Sequence, residues 1–257
     1  MSTVLFNPSH VFSTSKNDEP PMTLHVGMVG SDGIVLAGDT LQWSIPHANS
    51  APSRAGISTW LSQTVSKIKI SDNRKIAVSC ARDMRESYEL ADAIKNLSPE
   101  FWPSPETRIQ EIAASYLASR PQWHGAQCLI LVSEPQPALY LLECLVDEQT
   151  SEPIPPQCRN VPMYAFDGDS LNGAIFWAMR YCRWLSPEKR TVRRLMRLAA
   201  QIVADAEVLS SGNVGGAMEV VYCDCSGVHQ LTSSESETLL QEAQDRSNQI
   251  RGLILGE

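Results

Sequence analysis

Thr23-Leu-His-Val-Gly-Met-Val29, Gly30-Ser-Asp-Gly33 and Ile34-Val-Leu-Ala-Gly-Asp-Thr40 form the stretch that decides how the rest of the chain is read. Two short apolar runs flank Asp32-Gly33, a pair suited to the positive φ of tight hairpin turns. The pattern predicts two antiparallel strands, with Thr23 opening the first and Asp39 closing the second. Each polar residue also has an ordinary reading, a threonine at the start of a strand and an aspartate as a turn former.

Upstream, residues 1–22 are rich in Ser, Pro and Asn without periodicity, and a boundary falls at Pro20-Pro21-Met22. They have neither the basic start nor the apolar run of a secretory signal, so they read as an N-terminal extension or propeptide. Residues 23–257 then form the domain. Downstream, a Ser/Pro/Ala-rich loop spans Ser44–Ser62, and strands are expected at Val65–Ile70 and Lys75–Ser79. Helices are expected from Asp83 to Leu97 and after Ser104-Pro105-Glu106, where serine caps and proline opens the first turn. In the second, Ile109, Ile112, Ala113, Tyr116 and Leu117 make one apolar stripe. Strands follow at Cys128–Val132, Ala138–Val146 and Val161–Phe166, then helices at Leu171–Leu185 and Pro187–Leu209. The chain ends with strands Gly215–Cys223 and Val228–Leu231 and a helix running to about Arg251, opened by a capping box at Ser234 and Glu237. Strands joined by tight turns pair antiparallel, and helices arriving in pairs cover the outside of stacked sheets. The expected fold is α+β: a four-layer α-β-β-α sandwich of two antiparallel sheets.

The chain has 257 residues, 43% hydrophobic and 19% charged, enough for a sizeable core. Acids outnumber bases 29 to 21, a net charge of −8 that argues against nucleic acid and anionic membrane as partners. Seven scattered cysteines without a C-x-x-C fit a reducing cytoplasm, where they serve as packing. Cys223 and Cys225 are expected on one face of a strand. The histidines show no metal spacing and no Gly-rich phosphate loop opens a helix, so no cofactor or metal is expected.

The hairpin Thr23–Thr40 resembles the N-terminal hairpin of proteasome β-type and bacterial proteasome-like subunits, which are N-terminal-nucleophile hydrolases. Their mature chain begins with threonine, and an aspartate ends the second strand sixteen residues later; Asp39 lies sixteen residues after Thr23. Ser62-Gln-Thr-Val-Ser-Lys67-Ile68 resembles the stretch carrying that family's active-site lysine, and Lys75-Ile-Ala-Val-Ser-Cys-Ala81 resembles its next strand. The resemblance covers nearly all of 23–257 and is most specific up to Ala81. It implies a threonine-type endopeptidase subunit of a self-compartmentalising homo-oligomeric ring. The substrate would be peptide or unfolded protein, and an ATPase or other activator would supply any energy-driven step. The residues it implies are Thr23 as nucleophile, Lys67 and Asp39 beside it, Ala81 as oxyanion donor and Ser170 assisting the amine. Gln42, Val65, Lys69, Ser79 and Asp83 would line the substrate pocket.

The chemistry asks for these residue types. A threonine hydroxyl needs a base, and the α-amine of an N-terminal threonine, with a reference pKa of about 7.7–8.0, can serve. A nearby lysine keeps that amine neutral, and a carboxylate orients the lysine. Thr23 must therefore become an N-terminus, either by translation from Met22 and removal of that methionine or by cleavage of the Met22–Thr23 bond. Lys67 on its own reads as a solvated residue opposite the Ile68/Ile70 face.

Several positions depart from the family pattern. Ala81 stands where glycine is usual, and Ser211 and Val214 replace an aspartate and a serine before Gly215-Gly216. Lys67 lies 28 residues after Asp39, where the resemblance implies sixteen, and the insertion carries Trp43, His47 and Trp60. Ala81, Ser211 and Val214 motivate the alternative of a catalytically degenerate ring subunit with a structural or binding role. A small-substrate amidase on the same fold is a third reading.

Overall fold

The computed structural model of the chain describes residues 23–44, 61–82, 84–97, 104–120, 125–147, 149–150, 152–168, 173–209 and 214–256. Strands β1 (Leu24–Val29) and β2 (Ile34–Asp39) form the expected hairpin, with His25 opposite Gly38. They are joined by β11 (Tyr164–Gly168), β12 (Met218–Asp224) and β13 (Gly227–Gln230) in a five-stranded sheet ordered β11-β1-β2-β12-β13. The second sheet runs β10 (Gln157–Asn160), β9 (Ala138–Cys144), β8 (Ala126–Val132), β6 (Ile76–Ser79), β5 (Ile68–Ile70), and β7 (Ala81–Arg82) also pairs with β8. A separate pair, β3 (Leu41–Ser44) and β4 (Leu61–Thr64), flanks the insertion. Every pairing is antiparallel.

Alternation along the strands builds three apolar layers. Leu24, Val26 and Met28 of β1 pack on α4 (Val192–Leu209) beside Cys182 of α3 (Gly173–Trp184) and Ala243 of α5 (Ser233–Leu255). Ile34, Leu36, Leu129, Leu131, Leu139, Val221 and Cys223 meet between the sheets. Val78, Cys128, Ile130 and Leu142 face α1 (Met84–Lys95) and α2 (Pro105–Ala118). This is the four-layer α-β-β-α sandwich.

The elements differ from expectation where a side chain intervenes. The strand expected over Val65–Ile70 is broken, because the N–H groups of Lys67 and Ile68 bind the Glu219 carboxylate at 3.0 and 3.1 Å. The helix expected from Pro187 begins at Val192, whose N–H bonds to Asp32 Oδ1 at 2.7 Å; Pro187–Lys189 form a 3₁₀ turn instead. The capping box is Thr232 with Glu235, one half-turn before the expected pair, and α5 runs on to Leu255. Strand β10 was not anticipated, since its largely exposed residues show no apolar alternation. Cys225 lies exposed in the turn after β12, away from buried Cys223.

Candidate active site

Thr23 sits immediately before β1, and Asp39 ends the neighbouring strand. Their adjacency is fixed by the hairpin register and by the Leu24 N–H, which donates to Asp39 Oδ1 at 2.9 Å. Lys67 reaches them from the second sheet, out of the short coil before β5. Its Nζ donates to Asp39 Oδ2 and to Thr23 Oγ1, each at 2.9 Å. Thr23 is 7% exposed, Asp39 1% and Lys67 0%, so the lysine is not the solvated side chain that its alternation with Ile68 suggested. The Gly215 N–H lies 3.5 Å from Asp39 Oδ2. Gly168 closes on the site with φ +90°, and a Cβ there would fall 1.8 Å from the Thr23 carbonyl oxygen, so no larger residue fits.

Removal from water disfavours the charged form of Lys67 and lowers its pKa below 10.5, and attraction to Asp39 opposes that shift. The bond direction matters more. The ammonium donates to Thr23 Oγ1, so the threonine oxygen acts as acceptor and its own proton stays available for a base.

Ala81 is fully buried on β7, opposite Gln127 of β8, and its carbonyl accepts the Ser87 hydroxyl. Among the described residues Arg74 is the non-glycine with positive φ, so Ala81 holds an ordinary backbone that alanine tolerates. Val214 is buried in the layer facing α4, an apolar packing residue at the position where the resemblance implies serine. Ser170, Ser211, Asp83, His47, Trp60 and residues 1–22 lie outside the described residues. Of the expected pocket residues, Lys69 lies over the Tyr88 ring at 4.4 Å. Ser79 does not line a pocket: it is fully buried between the sheets.

Ser79 belongs to a second polar cluster that the sequence reading missed. Its hydroxyl donates to Asp167 Oδ2, and His25 Nδ1 donates to Asp167 Oδ1 at 2.5 Å. The Leu129 N–H adds bonds to Ser79 Oγ at 2.7 Å and to Asp167 Oδ2 at 3.2 Å. The His25 ring fits because Gly38 opposite has no Cβ, which would lie 2.0 Å from Cδ2. Glu219 was missed too. The available signal was a lone acid inside an otherwise apolar strand, Met218-Glu-Val-Val-Tyr-Cys223.

Burial works against thiolate formation at the interior cysteines. Burial pushes the Cys182 thiol up to about 11 and those of Cys144 and Cys223 to about 12, and it also raises Cys80 beside Ala81. Among the described residues no group of three His, Cys, Asp or Glu is placed to hold a metal ion. No described helix is long and apolar enough to cross a membrane.

No family model and no curated protein matches the chain. Among solved structures it is similar to the Anbu (Gly-1) mutant from Hyphomicrobium sp. strain MC1, with a TM-score of 0.58. The match covers 90% of this chain and 99% of that one at 10% identity, a likeness of fold. The fold is thus proteasome-like, as the hairpin suggested.

Proposed function

We propose that the chain is a threonine-type endopeptidase in which Thr23, freed as the N-terminus of domain 23–257, attacks peptide bonds. The observation that carries this reading is Lys67 Nζ held 2.9 Å from both Thr23 Oγ1 and Asp39 Oδ2 with no exposure to water. Cleavage at Met22–Thr23 leaves an α-amine on the nucleophile's own residue, and the Lys67 charge keeps that amine neutral near pH 7. Oγ1 bonds to the substrate carbonyl carbon while its proton passes to the α-amine. The amine returns that proton to the departing nitrogen as the C–N bond breaks, and water then hydrolyses the ester and restores Thr23. The Ala81 N–H is assigned to the oxyanion and the Ser170 hydroxyl to the amine. The same reading makes the protein a subunit of a homo-oligomeric cytoplasmic ring that takes unfolded polypeptide from an ATPase or other activator.

A second reading is favoured by Val214: a ring subunit that keeps the fold without the chemistry. Two measurements on one preparation separate them, intact mass and hydrolysis of a fluorogenic peptide panel. The endopeptidase reading expects a chain beginning at Thr23 whose hydrolysis is lost in Thr23→Ala. Equal rates for wild type and T23A, or no hydrolysis by a chain beginning at Thr23, would sink it.

A further inference from the structure

We infer that Glu219 is a positioning residue for Lys67, an inference that rests on the endopeptidase reading for its catalytic consequence. Lys67 does not lie in a strand. It occupies the coil between β4 and β5, where the second sheet reaches its backbone through one bond, from the Cys80 N–H to the Lys67 carbonyl, and β5 is itself the edge of that sheet. A four-carbon side chain on a backbone held on that side alone would not keep its ammonium within hydrogen-bond reach of two partners.

Glu219 supplies the anchor from the opposite sheet. On β12 it shares the inter-sheet face with Val221 and Cys223, and it is 8% exposed. Its Oε2 accepts the N–H groups of Lys67 at 3.0 Å and Ile68 at 3.1 Å. Its Oε1 accepts the Ser66 hydroxyl at 2.8 Å and the Gln230 side-chain amide at 2.9 Å. One carboxylate thereby satisfies three donors of a three-residue segment and bridges the two sheets at the lysine. The remaining bonds close the other side: the Tyr88 hydroxyl donates to the Ser66 carbonyl at 2.6 Å, and the Cys80 N–H donates to the Lys67 carbonyl at 2.9 Å. Both peptide groups flanking the Lys67 Cα are fixed, and the side chain extends from a held base to Asp39 and Thr23. Such support matters because displacement of a reacting group by about 1 Å costs on the order of 100-fold in rate.

Glutamine can replace this carboxylate bond for bond. Its carbonyl oxygen accepts the two backbone N–H groups, while its amide donates to Ser66 Oγ and to Gln230 turned over to present its oxygen. Alanine cannot, and it leaves two backbone donors unmet. The test therefore compares Glu219→Ala and Glu219→Gln in the protein beginning at Thr23. It reads peptide hydrolysis and amide hydrogen exchange at residues 66–68, with exchange at β8 as the control for global folding.

We expect E219A to lose about 10- to 100-fold in kcat with KM within about twofold. Its exchange at 66–68 should rise about 100-fold with β8 still protected, and E219Q should restore most of both. Unchanged exchange in E219A, a KM effect in place of a kcat effect, or E219Q as impaired as E219A would overturn the inference. If wild type and T23A hydrolyse alike, the endopeptidase reading fails by itself, and the exchange comparison still decides whether Glu219 holds Lys67.

Discussion

The two polar clusters between the sheets are built from the same materials and differ in what they leave free. Each centres on a buried carboxylate of the first sheet, Asp39 on β2 and Asp167 on β11, and each reaches a buried hydroxyl. In the Asp167 cluster the Ser79 hydroxyl donates to the carboxylate and accepts the Leu129 N–H at 2.7 Å. Its proton is committed and its lone pair is used. In the Asp39 cluster a lysine intervenes, and Thr23 Oγ1 accepts from Nζ at 2.9 Å. Interposing a cation reverses the hydroxyl's role, so its proton can leave toward a base. Burial beside a carboxylate does not free a hydroxyl's proton; the direction of the hydrogen bond decides whether it can leave.

The largest expected effect is on rate and separates the clusters outright. Thr23→Ala should lower hydrolysis of fluorogenic peptides by at least about 1,000-fold, since it removes the atom that attacks in the proposed mechanism. Circular dichroism should remain that of the wild type. Retention of the wild-type rate would mean that the cluster holding the free hydroxyl is not the reactive one.

Next in size is stability. Asp167→Ala strips His25, Ser79 and the Leu129 N–H of their shared acceptor, and leaving these buried donors unmet costs about 3–5 kcal/mol in all. For a chain of this size that corresponds to a fall in Tm of about 6–20 °C. Asp39→Ala should cost a comparable amount, because Lys67 then lacks its carboxylate, and it should also abolish hydrolysis. If only one variant is destabilised, the two carboxylates are not the equivalents that their settings suggest. Ser79→Ala is milder, about 1–2 kcal/mol by urea denaturation, and should leave peptide hydrolysis within about threefold. A loss of hydrolysis to rival T23A would move Ser79 into the site.

The two clusters also differ in how far the sequence reveals them. The hairpin that carries Thr23 and Asp39 is local, with its turn residues and register inside eighteen positions, Thr23–Thr40. The layered fold follows from apolar alternation and paired helices in the same way. Lys67, Asp167 and Glu219 are different, because their surroundings are built by strands distant in the chain. Alternation with Ile68 made Lys67 look solvated, yet it is fully buried and bonded to Thr23 and to Asp39 and Glu219 of the opposite sheet. Asp167 meets Ser79 from 88 residues away and His25 from 142, pairings that no local pattern encodes. Ser79 was misread as pocket lining for the same reason. Thr232 and Glu235 show a smaller slip, in which two overlapping S/T-x-x-E patterns competed and the earlier one formed the cap.

The smallest expected effect concerns pH and tests whether Lys67 is poised or merely paired. Burial lowers its pKa from the ordinary 10.5 that the unfolded chain retains, against the pull of Asp39. Between the native value and 10.5 the unfolded chain keeps a proton that the folded one has released. Unfolding therefore binds a proton there, and the contribution of Lys67 to stability rises with pH across that window. Below the window both states carry the proton, and the contribution is flat. Lys67→Met removes the titration while keeping the length of the side chain. The unfolding free energy of wild type minus that of K67M, from urea titrations between about pH 7 and 10.5, should climb toward the alkaline end by about 1.4 kcal/mol per unit of lowering. A flat difference would mean that Asp39 holds the lysine fully charged throughout. The Thr23 cluster would then be a fixed ion pair, as saturated as the hydrogen-bonded cluster around Asp167, and the contrast between them would rest on the hydroxyl alone.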